Sequence, residues 1–107
     1  MSQLLQDRVF VALADGRRRE LLEMLARDGD KSATELARMV PITRQGVSKH
    51  LHILAEANLV RVRQQGRDKR YSITPHSLSE AVSWLEMITA VWDQRLQALY
   101  HYLTEES

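Results

Sequence analysis

Five polar side chains stand close together in the middle of this sequence: Arg44, Gln45, Ser48, Lys49 and His52. At helical pitch their spacing puts all five on one arc, while Val47, Leu51 and Leu54, at i, i+4 and i+7, form a buried stripe opposite. Arginine and lysine donate to guanine O6 and N7, and glutamine can pair bidentately with adenine N6 and N7. Ser48, and the Thr43 hydroxyl just before the helix, suit phosphate oxygens, which fix register without reading sequence. The chemistry on offer is recognition of a polyanion with readout of its bases. No nucleophile–base arrangement or phosphate-cradling glycine loop accompanies the set, so no catalytic residue and no enzymatic activity are expected.

Three neighbouring elements must hold that arc in place. Upstream, Ser32 with Glu35 three residues on matches a capping box and opens a short helix with Leu36, Met39 and Val40 as its apolar face. Pro41 forces Val40 out of helical geometry and stops that helix there. Thr43 caps the next helix, expected over 43–57, and Asn58 can take the left-handed turn that ends it. Two helices around a tight turn are the helix-turn-helix pattern, in which the second helix enters the DNA major groove. Downstream, over 59–74, Val60 and Val62 alternate with Arg61 and Arg63, Gly66 marks a turn, and Tyr71 and Ile73 continue the alternation. That is a β-hairpin. It carries Arg63, Arg67, Lys69 and Arg70 as further candidate phosphate contacts, so helix pair and hairpin together read as a winged helix.

Gly46 interrupts the candidate recognition helix at a cost of about 1 kcal/mol relative to alanine; close approach of the preceding helix is the expected reason. His50 lies between the buried and exposed arcs and is expected to pack or hydrogen-bond rather than bind a ligand. Arg17, Arg18 and Arg19 fall in the first turn of an earlier helix, where the dipole disfavours cations. A solvated face is the plain reading of that triplet and a phosphate contact the sharper one.

Both ends of the chain are apolar helices. Leu4, Leu5, Val9, Phe10, Val11 and Leu13 make an opening helix, about 2–14, apolar on more than one side. After Pro75, a helix over about 76–104 carries Leu78, Val82, Leu85, Thr89, Trp92, Leu96, Leu99 and Leu103 in an a/d register, with Ala81, Trp84, Ile88 and Val91 as a second stripe. One small domain cannot bury both stripes. One is expected to pack on its own protomer and the other on a second copy, with Leu4, Leu5, Leu85, Trp92, Leu96, Leu99 and Leu103 at the dimer interface. Trp84, Met87, Trp92 and Tyr100 could line a small-molecule pocket at that seam, although such a stripe also serves as plain core.

Composition narrows the classes. The 107 residues are expected to form a single domain, mainly α with a small β-hairpin wing, in the order α-α-α-α-β-β-α. Net charge is only +1, but residues 44–70 hold seven Lys/Arg against Glu56 and Asp68, whereas residues 71–107 hold one Arg against five acids. Such segregation suits a surface for a polyanion. There is no cysteine, so disulfides and thiolate metal sites are excluded. His50, His52, His76 and His101 include no i, i+4 pair, and Asp93, His101 and Glu105 are too sparse a set to expect a metal. No cofactor is expected. With no apolar run of spanning length and no signal-peptide pattern, the expected location is the cytoplasm, away from membranes.

Several stretches resemble the ArsR/SmtB family of bacterial winged-helix repressors. Val9-Phe10-Val11-Ala12-Leu13-Ala14-Asp15 with Arg18 is similar to that family's opening F-x-A-L-A-D-P-x-R motif. Residues 42–51 resemble its recognition helix, S-Q-x-x-V-S-x-H-L, and residues 54–60 its following L-x-x-A-G-L-V. The resemblance implies a homodimer joined through its first and last helices, binding a double-stranded DNA operator and repressing transcription. It implies DNA reading by Arg44, Gln45, Ser48, Lys49 and His52, and a wing role for the cations around Gly66. Glu35-Leu36-Ala37 stands where metal-sensing members carry a thiolate motif, and Asp93-Gln94-Arg95 stands where their last helix carries Asp-x-His. The branch implied is the one that does not sense metals. A protein-interaction module, and a sensor with an unidentified small-molecule effector at the dimer seam, are the alternative readings.

Overall fold

The computed structural model describes residues 3–105. The chain runs α1 (Gln3–Leu13), α2 (Gly16–Asp28), β1 (Lys31–Ser32), α3 (Ala33–Ala37), α4 (Arg44–Glu56), β2 (Val60–Gln65), β3 (Asp68–Ile73) and α5 (Pro75–Glu105). This is a winged helix-turn-helix, mainly helical, with one addition to the expected order: β1 pairs antiparallel with β3 and makes the sheet three-stranded, β1-β3-β2. Two residues are too few to show an alternation, so nothing in the sequence marks β1. Its pairing follows from Tyr71, whose buried ring sits at the centre of the sheet opposite Lys31 and Val62.

Side-chain caps set the helix boundaries. The Asp15 carboxylate accepts from the amides of Arg17 and Arg18 at 2.8 and 3.1 Å and starts α2. Gly29, at φ 84°, donates its amide to Leu25 and ends it. Ser32 and Glu35 form the full capping box at 3.1 and 3.2 Å. The Thr43 hydroxyl accepts from the Gly46 amide at 3.0 Å and starts α4. Asn58 leaves that helix in the left-handed region, φ 57°, and Leu59 returns its amide to Leu54. In the wing, Gln65 faces Asp68 across a two-residue loop whose first residue, Gly66, sits at φ 61°. A loop of that length with glycine first is the II′ pattern, which matches the twist of a hairpin.

The core gathers Val9 and Ala12 of α1, Leu21 and Leu25 of α2, Leu36 of α3, Val47, Leu51 and Leu54 of α4, and Leu59, all almost fully buried. Four expectations need revision. The helix before the turn ends at Ala37 rather than beside Pro41, and Met39, expected on its apolar face, is 47% exposed. Residues 38–42 run as turn and bend, which leaves Leu36 and Val40 to anchor that corner. Val62 does not share the burial of Val60, because β2 runs past the helical layer after its first residue. The preceding helix is not what crowds Gly46. A Cβ there would meet the Thr43 hydroxyl at 3.4 Å and the Ile42 side chain at 3.9 Å, both in the helix's own lead-in.

The fourth revision concerns α5. Pro75 occupies its first helical position, where a missing amide costs nothing. Ser77 and Ala81 are buried, Leu78 is half-buried, and the Trp84 ring lies 5.3 Å from that of Phe10. Beyond Ala81 every described residue is exposed, so within one chain neither apolar stripe is covered along most of the helix. Its 31 residues span about 46 Å at 1.5 Å each. That projection explains a radius of gyration of 19.0 Å, against about 13 Å for a compact chain of this size. No helix among the described residues is long and apolar enough to cross a membrane.

Candidate nucleic-acid interface

The site is assembled on α4. Its buried stripe turns one side of the helix to the core, and Arg44, Gln45, Lys49 and His52 are left exposed on the far side, with Ser48 half-buried at the edge. Thr43 is exposed too, but its hydroxyl already serves the helix as cap. The imidazole of His52 reaches Glu56, one turn on, at 3.0 Å. Between α4 and the wing runs an open groove lined by Arg44, Ser48 and His52 on one wall and by Gln64, Arg67 and Lys69 on the other. Residues 12 to 25 positions apart thus line one channel, in which Arg44, Arg67 and Lys69 outweigh the one acid, Asp68. Among the described residues Arg44, Lys49, Arg67 and Lys69 enter no ion pair, so their charge is available to a ligand.

The other two wing cations are placed differently. Arg70 is largely enclosed and pairs with the Glu35 carboxylate, the Asp30 carbonyl at 3.1 Å and the Asp30 carboxylate at 3.4 Å. Its hydrogen bond to Asp30, with the charge of Glu35 beside it, raises its pKa further above the usual arginine range. Glu35 is held below the ordinary carboxylate range, first by the Ser32 amide and then by the Ser32 hydroxyl and Arg70. Arg63 reaches Asp30 at 3.1 Å. Arg70 therefore joins the wing to the start of α3 and is not presented to the groove, and Arg63 also turns away from it.

The family model described as a helix-turn-helix domain matches residues 13–63. The HTH-type transcriptional regulator Rv2034 of Mycobacterium tuberculosis is 44% identical over 73 residues, 68% of this chain and 67% of that protein. The transcriptional repressor SdpR of Bacillus subtilis is 31% identical over 77 residues, 72% and 84% of the two chains. An ArsR-like transcriptional regulator from Rhodococcus sp. RHA1 superposes with a TM-score of 0.78 at 40% identity, covering 90% of each chain. The chain belongs to the ArsR family of helix-turn-helix transcriptional regulators. A further solved neighbour, at TM-score 0.62 and 27% identity over 86% of this chain and 82% of its own, is Mb0332 of Mycobacterium bovis, described as a homodimeric winged helix-turn-helix DNA-binding domain and a possible ArsR-family regulator.

For this ArsR-family chain the arginine triplet is solvated only in part: Arg19 is exposed, whereas Arg17 and Arg18 are half-buried. Arg18 donates to the carbonyls of Ala12 and Val11 at 2.9 and 3.2 Å, and Arg19 to that of Leu13 at 2.8 Å. They satisfy the last carbonyls of α1, where a helix leaves acceptors open and its dipole is negative. Arg17 pairs with Glu20 at 2.7 Å. His50 meets the Arg18 guanidinium at 3.4 Å, in keeping with the hydrogen-bonding role expected of it. Asp30 as wing anchor was missed altogether. Its partners lie 33 and 40 positions away, and no local spacing encodes such a contact. Of the residues expected at a dimer interface, Leu4, Leu85, Trp92, Leu96, Leu99 and Leu103 are exposed in the single chain and Leu5 is half-buried.

Proposed function

We propose that this chain is a dimeric repressor that binds double-stranded DNA in a sequence-specific way at an inverted-repeat operator. The observation that carries the reading is the α4–wing groove, where Arg44 shares one opening with the unpaired wing cations Arg67 and Lys69, while Gln45 and Lys49 stand exposed on the same helix. In this reading Arg44, Gln45 and Lys49 contact base edges, with Ser48 and His52 beside them, and Thr43, Arg67 and Lys69 hold phosphates. The two ends of the chain supply the dimer. At 100° per residue, the apolar side chains of α5 from Val82 to Leu103 cover an arc of about 220°, roughly twice what one packing face needs. An arc that wide can meet both α5 and α1 of a second copy, and the homodimeric state described for the Mycobacterium bovis neighbour supports that arrangement. Two-fold symmetry then sets the recognition helices about one helical turn of DNA apart. The sign of regulation follows SdpR, a repressor 31% identical to this chain. With no cysteine in its sequence, the chain offers soft metal ions no thiolate, and its regulation is read as metal-independent.

Competition binding tests the assignment. A duplex selected from random sequence by the wild-type chain is titrated against an unselected duplex. Gln45→Ala is expected to lower affinity for the selected duplex by about tenfold, at 1–3 kcal/mol per base contact, and to leave the unselected duplex unaffected. An equal loss on both duplexes would refute base reading by Gln45. No binding to any duplex at low salt would favour a protein-interaction module.

A further inference from the structure

We propose that Arg18 is a positioning residue for the recognition helix, fastening α4 through His50 to the end of α1. The proposal rests on the DNA-binding reading above. The guanidinium side chain is only 12% exposed. On one side it is pinned to α1 by the carbonyls of Ala12 and Val11 at 2.9 and 3.2 Å, with the Asp15 carboxylate at 3.9 Å. On the other, its Nη1 meets Nδ1 of His50 at 3.4 Å. Arginine only donates, so the contact is a hydrogen bond when Nδ1 accepts, which puts the imidazole proton on Nε2.

α1 and α4 also touch, and the residues they bury in the shared core are apolar, Val9 and Ala12 on one helix and Val47, Leu51 and Leu54 on the other. Apolar burial is non-directional and leaves small rotations of α4 weakly opposed. A planar guanidinium held by two backbone carbonyls is directional, and it fixes where His50 points. His50 lies next to Lys49 and two residues from both Ser48 and His52, so the rotation it sets is the rotation of the groove wall. α1 is also one of the helices assigned to the dimer. The aim of each recognition helix is thereby referred to the element that sets its distance from its twin.

The test uses the full chain, a duplex selected from random sequence by the wild type, and the variants Arg18→Gln, Arg18→Lys and His50→Leu. Arg18→Gln and His50→Leu are each expected to weaken selected-duplex binding by about tenfold, the scale of a hydrogen bond to a charged group. The sedimenting species and the salt slope should stay those of the wild type, and the double variant should lose no more than either single one. Arg18→Lys, which cannot hold two carbonyls and an imidazole together, should recover only part of the loss. Imidazole nitrogen NMR supplies a readout that plain packing does not move: His50 should be locked with its proton on Nε2 in the wild type and released to a tautomer mixture in Arg18→Gln. Unaltered affinity in a folded, dimeric single variant, or a wild-type His50 protonated on Nδ1, overturns the proposal. Should Arg18→Gln fail to fold, His50→Leu decides by itself. A wild-type chain that selects no duplex overturns the DNA-binding reading, whereas normal selection with unaffected variants overturns this proposal only.

Discussion

Asp15 and Glu35 each hold a helix start, and each titrates below its ordinary range, chiefly because backbone amides donate to the ionised form: that of Arg18 to Asp15, that of Ser32 to Glu35. Free carboxylates titrate near about 4. A folded-state pKa depressed below that value contributes stability that is whole above the unfolded pKa and is lost as pH falls through the folded one. The thermal midpoint of the wild type should therefore drop between about pH 5 and pH 3 more steeply than that of the Asp15→Asn/Glu35→Gln variant, since Asn still caps and Gln still completes a capping box. Parallel midpoint curves for the two would show that neither carboxylate is linked to folding. Gly46 offers a second measurement. A methyl group there meets only ordinary contacts, so Gly46→Ala should raise stability by up to about 1 kcal/mol; a lower melting temperature would mean that the lead-in is too tight for it. At this scale the sequence was readable wherever a residue acts on near neighbours. Ser32, Thr43 and Asn58 hold the positions their local spacing implied. Residues whose partners are remote in sequence, Arg18, Asp30 and Arg70, were not readable.

Among the elements, α4 and the hairpin were legible because their periods, 3.6 and 2, run long enough to be counted. The helix before α4 came out too long, since Pro41 marks where a helix must have stopped and not where it does. β1 and the anchoring of the wing stayed hidden. That anchoring divides the basic hairpin in two: Arg67 and Lys69 border the groove, while Arg70 serves the junction with α3. The division can be measured as a salt dependence. Each phosphate neutralised contributes about 0.9 to the slope of log K against log salt, so Arg67→Ala should lower a dimer's slope by about two. Arg70→Gln should weaken binding by loosening the wing while keeping the wild-type slope. Equal slope losses in both variants would place Arg70 on the phosphates after all.

For the whole molecule, the heptad register of α5 announced a partner, and the 70 Å length of a single chain shows how much apolar surface is left for one. The sequence could not tell which stripe its own protomer would cover, because an amphipathic pattern records that a face is buried and not against what. Past Ala81 the fold covers neither. Leu96, 48% exposed, lies within that apolar arc, and Gln97, one residue on, lies at the middle of the opposite polar face. A charge at the first position must be desolvated twice in a symmetric seam, at several kcal/mol for each unpaired ion. Leu96→Glu should therefore weaken self-association by at least about a hundredfold, whereas Gln97→Glu should leave the sedimentation profile as it is. The consequence for DNA follows from tethering. Once one half of a dimer is bound, the other meets its half-site at high effective concentration, an advantage that a lone chain lacks. The Leu96→Glu chain should then keep its helical content and about half the wild-type salt slope, but lose the preference for two half-sites over one. Retention of that preference by a chain that sediments as a monomer would remove the dimer from the mechanism.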